Sequence, residues 1–335
     1  MKTFKKTRKA TILAGDIGGT NTRLGIFEWE GNRVIPVVIQ TYPSKEHDSL
    51  HEIVDKFTEE HSLPIQTACF AIAGPVDQGR VATTNLAWVV DGDRLAQTLR
   101  LQQVSLLNDL EAIGYGLANL DDKDFAILNE GAQTAVGNLA ILAAGTGLGQ
   151  AACYWNGRQH YPFASEGGHA DFAARNPLEV ELLNYLLTKF ERVSYERILS
   201  GSGLFEIYKF FHQTQRGEEP SDLTEVIYQQ AHPAAVVRAA LEERSEVCAN
   251  ALALFVSLYG AEAGNLALKI MAKGGLYIGG GIAPRIIPYL QKSWFMDSFT
   301  GKGRMKPLLE AMPVRVILQD KTGLFGAARY AALQH

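Results

Sequence analysis

Cysteine is scarce in this chain, and what there is stands apart: Cys69, Cys153 and Cys248 are the only three in 335 residues, each in an apolar stretch. Such spacing excludes a disulfide framework and a cysteine-built zinc cluster, and it reads as buried thiols in a reducing compartment, so a cytoplasmic protein is expected. No Gly-Lys-Ser/Thr string occurs, which excludes a P-loop. An excess of one charge is also lacking. With 32 Lys and Arg against 36 Asp and Glu, the net charge of −4 leaves no footprint for nucleic acid or an anionic membrane. The basic stretch from Lys2 to Lys9 is followed by only a few apolar residues before Gly15-Asp16 interrupts them. That is too short for a signal-peptide core or a membrane span, so a solvated tail is expected there. No low-complexity linker is present, so domains must be joined by short crossings.

What the chain does have is glycine, in two turns of nearly the same chemistry. Gly15-Asp16-Ile17-Gly18-Gly19-Thr20 and Gly145-Thr146-Gly147-Leu148-Gly149 start 130 residues apart. Each follows an apolar run, Thr11 to Ala14 and Leu139 to Ala144, and each precedes a second β-like run that closes on a tight turn. Two such hairpins can hold a nucleotide's phosphates from both sides through backbone N–H groups. The second turn resembles a dinucleotide fingerprint only superficially. Its glycine spacing is one residue short, and the segment after it is β-like where that motif must open a helix.

The composition, 47% hydrophobic and 20% charged, is that of a globular protein, and the length suits two domains. The pattern is α/β throughout. Residues 11–40 read as a hairpin and a further strand, and 50–60 as a helix with His47 and Asp48 as candidate caps. Thr67 to Ala73 and Val104 to Leu107 read as strands, and Leu110 to Leu120 as a helix despite Gly114 and Gly116. Residues 178–190, 203–213 and 234–272 read as helical, the last as one helix or two. Leu276 to Ile278 is a strand ending at Gly279-Gly280-Gly281, with Pro284 placed to start a helix. Val314 to Leu318 and Gly323 to Leu333 are the final strand and helix.

Several polar residues stand out, each with more than one role open. Asp109, between a strand and a helix, is placed to act as a general base toward a hydroxyl; Asn108 and Asp109 are equally suited to cap the helix. In Glu166-Gly167-Gly168-His169-Ala170-Asp171, a carboxylate and an imidazole offer the mixture of donors and acceptors that vicinal sugar hydroxyls need. The same Glu166, His169 and Asp171 would serve a metal, although no second His or Cys cluster stands nearby to complete a shell; a plain polar loop is the third reading. Glu196 by itself reads as compensation for a helix dipole. Asp16 is the one carboxylate in either glycine turn, suited to anchor Mg²⁺ directly or through water, or to stabilise an Asx-type turn.

In order along the chain, Gly15 to Arg23, Leu107-Asn108-Asp109, Gly145 to Gly149, Glu166-Gly167-Gly168-His169 and Tyr195 to Gly201 resemble the bacterial glucokinase family of actin/hexokinase-type sugar kinases. The resemblance runs from residue 11 to about 330. The Cys-rich zinc motif of the related repressor/kinase group is missing, as is a helix-turn-helix ahead of the first hairpin, which favours the zinc-free branch.

The resemblance implies a two-domain α/β, actin-like ATPase (ribonuclease H-like) fold with an interdomain cleft. The small domain would hold residues 11–119 and 315–335, and the large one residues 120–314 with the second hairpin and the sugar loop. It implies a glycolytic, Mg²⁺-dependent transfer of the ATP γ-phosphoryl to the 6-hydroxyl of glucose, by a cytoplasmic homodimer. Asp109 would be the base, and Asn108, Asp109, Glu166, His169 and Glu196 would hold the sugar. Gly15, Asp16, Ile17, Gly18, Gly19 and Thr20 would face Gly145, Thr146 and Gly147 across the phosphates, with Gly280 beneath adenosine. Another hexose or N-acetylhexosamine kinase of the same fold, and a non-catalytic sugar sensor, are the competing readings.

Overall fold

The computed structural model describes residues 10–83, 86–230 and 232–334; the basic stretch from Lys2 to Lys9 lies outside them. The chain divides into two compact units. The first runs to Asp122 and takes in Tyr161–Ala164 and Gln319 onward; the second comprises Lys123–His160 and Ser165–Leu318.

The first unit contains β1 (Thr11–Ile17), β2 (Asn21–Glu30), β3 (Arg33–Pro43), β4 (Thr67–Ile72), the short pair β5 (Arg80–Ala82) and β6 (Val89–Asp91), and β7 (Val104–Asn108). Its main sheet runs β3-β2-β1-β4-β7. β1 pairs antiparallel with β2 and parallel with β4, and β4 pairs parallel with β7. β1 opens on the apolar run Thr11 to Ala14, and both its faces are covered. Leu13 and Ile17 pack with Leu50, Ile53, Phe57 and Leu95 of the helices Leu50–Glu60 and Gly92–Leu99. Ile12 and Ala14, on the other face, pack with Ala112, Leu324, Ala327 and Ala328 of the helices Asp109–Gly116 and Thr322–Gln334. Those last two helices touch backbone to backbone: a Cβ on Gly326 would lie 1.7 Å from the Ala112 carbonyl, and one on Gly116 2.1 Å from that of Thr322. The glycines that weaken the helix locally are what let the pair approach.

Neither His47 nor Asp48 caps the helix Leu50–Glu60. Ser49 does, accepting the Glu52 N–H at 3.3 Å while Glu52 reaches back to the Asp48 N–H at 3.0 Å. This is a variant of the capping box, whose Ser-x-x-Glu spacing was present in the sequence.

The second unit adds β8 (Phe125–Asn129), β9 (Leu139–Ala144), β10 (Leu148–Trp155), β12 (Gly275–Gly279) and β13 (Val314–Ile317), while β11 (His160–Ser165) has its middle residues, Tyr161–Ala164, in the first unit. β10, β9, β12, β13 and β8 lie side by side in that order. β10 is antiparallel to β9, and β9, β12 and β13 are parallel, repeating the directions of β2, β1, β4 and β7. The last strand therefore belongs here and not with residues of the smaller unit, where the sequence placed it. Its Val314 and Val316 are fully buried between β12 and β8, an antiparallel partner with no clear sequence signal.

The helical stretch 234–272 is two helices, Pro233–Leu241 and Glu246–Lys269, the second capped by Ser245. The longer one is apolar enough by composition to cross a membrane, yet 78% of its apolar window is buried within the protein. It is apolar all round because the core surrounds it. The helices Gly92–Leu99 and Ser221–Gln230 had no place in the sequence reading.

The repeat itself is real but differently aligned. Ile17 pairs with Thr22 at the end of the first hairpin, and Ala144 with Leu148 at the end of the second. Equivalent strand ends are thus 127 residues apart, not 130. Gly15 is inside β1, three residues before the turn. A Cβ there would lie 2.4 Å from the Phe70 ring and 3.0 Å from Leu24, so packing requires this glycine.

Candidate active site

In the first unit the turn proper is Gly18–Asn21, closed by the Gly18 N–H donating to the Asn21 carbonyl at 3.0 Å. Buried Ser44 pins it from one side. Its hydroxyl donates to the Gly18 carbonyl at 2.7 Å, and its N–H to the Thr20 carbonyl at 2.9 Å. In a trans peptide the N–H points opposite to the C=O, so the N–H groups of Gly19 and Asn21 are turned away from Ser44. Outward N–H groups at a turn are what an anion needs.

Asp16 leaves β1 on the face opposite Gly15 and Ile17. Its carboxylate lies 3.8 Å from the Arg23 guanidinium, and a Cβ built on Gly323, in the first turn of the last helix, would lie 3.6 Å from it. Arg23 also forks onto Asp320, at 2.7 Å to its carbonyl and 2.8 Å to its carboxylate. Burial pushes the Asp16 carboxyl up to about 6; Arg23 opposes that, while Asp109 and Asp320 add to it. Arg23, Ser44 and Asp320 carry no sequence signal of these roles, and Asp320 lies 297 residues from Arg23.

Of the pair Asn108-Asp109, it is Asn108 that caps the helix. The Asn108 side chain is the helix cap, accepting the N–H groups of Leu110 at 3.0 Å and Glu111 at 3.4 Å and donating to the Gly74 carbonyl at 3.1 Å. Asp109 is the first helical residue, its Oδ1 oriented by the Leu110 N–H at 3.0 Å.

In the second unit the turn Gly145–Gly147 is held from behind. The Gly145 N–H donates to the Gly147 carbonyl, and the Gly145 carbonyl accepts from Gly201, the first residue of the helix Gly201–Gln213. Thr146 is exposed at the tip. Gly280, at φ +81°, takes a left-handed conformation that side chains resist, and a Cβ on it would collide with the Ala144 carbonyl at 2.2 Å. The Gly279–Gly281 bend therefore lies directly against the strand that feeds the turn.

The structure brings Glu166, His169 and Glu196 together. His169 Nε2 lies 3.9 Å from Glu166 and Nδ1 4.0 Å from Glu196, near enough for charge interaction and too far for hydrogen bonds. Glu196 is not in a helical first turn, so dipole compensation does not explain it; it precedes the helix by five residues. Its N–H donates to the Gly168 carbonyl at 2.9 Å, and its Oε2 accepts the Leu148 N–H at 3.0 Å. That oxygen would sit 2.4 Å from a Cβ on Gly147. One carboxylate thus touches both the His169 loop and the second glycine turn. Asp171 is turned elsewhere, paired with Arg192 at 2.7 Å, so Glu166, His169 and Asp171 form no metal shell. No group of three or more potential metal ligands occurs among the described residues.

A sequence model described as Glucokinase matches residues 13–334. The glucokinase of Nostoc punctiforme is 44% identical over 336 residues, covering 96% of this chain and 98% of that one. Among solved structures, glucokinase from an Antarctic psychrotroph superposes with TM-score 0.84 at 31% identity, covering 97% of this chain and all of that one. A ROK family glucokinase from Streptomyces griseus, in complex with glucose and AMPPNP, has TM-score 0.64 at 20% identity over 97% of this chain and 100% of that one, a likeness of fold alone.

Proposed function

The chain belongs to the glucokinase family, and from that premise we propose that Asp109 is the general base of the reaction, with the sugar held by Asn108, Glu166, His169 and Glu196. The activity is that of an ATP-dependent sugar kinase, transferring the γ-phosphoryl of ATP to the 6-hydroxyl of D-glucose to give glucose 6-phosphate and ADP.

Phosphoryl transfer asks a protein mainly to position the reactants and to neutralise charge. The observation that carries the base assignment is the division of labour at Asn108-Asp109. With Asn108 as the cap, the Asp109 carboxylate stands at the exit of β7, where its Oδ1 accepts the Leu110 N–H. It accepts the hydroxyl proton as the sugar oxygen attacks. Glu166, His169 and Glu196 recognise hydroxyls, and a missing or inverted hydroxyl would strand one of them without a partner.

In the first turn the outward N–H groups of Gly19 and Asn21 would bind phosphate oxygens, in the second the exposed tip at Thr146 would, and the bend at Gly280 would carry the adenosine. The donor set at Asp16 fits Mg²⁺: one hard carboxylate, an excess of acidic neighbours, and few protein ligands, as suits an ion that keeps water and phosphate oxygens. Asp16 would hold it, and the ion would offset phosphate charge. Three buried cysteines outside any disulfide support a cytoplasmic setting; homodimer formation rests on family likeness alone.

Replacing Asp109 with Asn tests the assignment. It is expected to lower kcat by about 10²–10⁴ while glucose binding, read by calorimetry, persists. Near-normal turnover in that variant would remove Asp109 from the mechanism.

A further inference from the structure

Two buried polar side chains take no part in the mechanism above, and they meet. Gln150, in β10, is 2% exposed, and Glu262, in the core helix Glu246–Lys269, is fully buried. Gln150 Nε2 donates to Glu262 Oε1 at 2.8 Å, and Asn265 Nδ2 donates to Glu262 Oε2 at 2.9 Å. The same Asn265 amide donates to the Tyr195 hydroxyl at 3.0 Å, and its Oδ1 accepts from Lys302 at 2.6 Å. Gln150 Oε1 occupies the place where a side chain on Gly167 would begin, 2.2 Å from a Cβ built there. One carboxylate therefore reaches the His169 loop through Gln150, and the residue before Glu196 through Asn265 and Tyr195.

Stability does not account for Glu262. Taking a carboxylate out of water is costly, and an apolar pair of similar volume would join β10 to the helix at least as well. What a carboxylate adds is two oxygens that accept from two donors in fixed directions. Here the two donors lead to the two segments that carry Glu166, His169 and Glu196.

We propose that Glu262 is a positioning residue for hexose recognition: it holds Gln150 beneath Gly167 and Tyr195 beside Glu196, and so sets the spacing of the three sugar-binding side chains. This rests on the sugar-site reading above. Gln at position 262 has one acceptor oxygen and presents an amide to one of the two donors, so one arm of the network opens. Phe at position 195 removes only the hydroxyl and leaves the packing in place.

The experiment is steady-state kinetics on Glu262→Gln, Tyr195→Phe and Gln150→Leu, with His169→Ala as control, on glucose and mannose, with thermal melts alongside. Glu262→Gln is expected to raise the glucose KM about tenfold and Tyr195→Phe about threefold, as sub-ångström displacement of binding groups does. The ATP KM should stay unchanged, the glucose-to-mannose preference should narrow, and adding Gln150→Leu to Glu262→Gln should cost little more than either alone. If Glu262→Gln does not fold, Tyr195→Phe decides. An unchanged glucose KM in folded variants, or glucose and ATP KM rising together with a loss of melting temperature, overturns the proposal. If His169→Ala also leaves the glucose KM unchanged, the sugar-site assignment itself fails; if only His169→Ala raises it, the positioning role alone fails.

Discussion

The two glycine hairpins share directions and neighbours but not chemistry. The position of Asp16, one residue before the end of β1, corresponds to Ala143 in β9, and its cross-strand partner Arg23 corresponds to Gly149. The first turn is pinned by the neutral Ser44 and has an acid beside it; the second has no acid in its strand and is braced by Glu196. Both turns are built on the same strand directions, yet an acid stands beside only the first. The second hairpin is tied instead to the Glu166–His169 loop through Glu196, whose N–H donates to the Gly168 carbonyl and whose Oε2 accepts the Leu148 N–H.

The comparison yields predictions in descending size. Asp16→Asn should reduce turnover with Mg-ATP by about 10²–10³, the usual loss when one charge-stabilising group is removed, and should weaken Mg²⁺ dependence in a metal titration. A variant with full activity would show that the first hairpin needs no acid and that the two turns are alike. Gly147→Ala sets a methyl group against Glu196 Oε2, so it should raise the KM for glucose and for ATP together, each by about tenfold. An effect on ATP alone would break the claim that the second turn is coupled to the sugar loop.

Ser44→Ala removes the hydroxyl hydrogen bond to the first turn, at a cost of about 1 kcal/mol, and should raise only the ATP KM, a few-fold. The smallest effect is on stability without ligands. Asp16 binds its proton more tightly in the folded protein, since its carboxyl is raised to about 6 from an ordinary value near 3.8. That contribution is largest below about pH 3.8 and is lost as pH rises through about 6. Asp16→Asn should therefore melt a few degrees above the parent protein at pH 7, corresponding to on the order of 1–3 kcal/mol, with the difference vanishing near pH 4. Ala143, with no charge to bury, gives the second hairpin no such dependence.

Much of this was legible in the chain. The apolar runs, the glycine turns and the helix Leu50–Glu60 follow from patterns a few residues long, and those patterns marked Asp109, Glu166, His169 and Glu196 as chemically notable. Other features gave only a faint signal. Glu262 is the single charged residue between Ala249 and Leu268, and Gln150 interrupts an apolar strand; a lone polar residue in such a run tells of a partner without naming it.

By itself, then, the sequence determined most of the elements, because periodicity, turn propensity and capping act over one or two turns of chain, and its ordered motifs carried the family resemblance and the inventory of reactive side chains. Only the tertiary structure decided that Gly15 serves packing while Gly18 serves the turn, that Asn108 and not Asp109 caps the helix, and that β13 joins the second unit's sheet. It also decided that Glu262 stands behind the Glu166–His169 loop, through Gln150. Each of these depends on which distant group fills a given space or accepts a given proton, and burial and hydrogen-bond satisfaction have no value until the chain has folded around them.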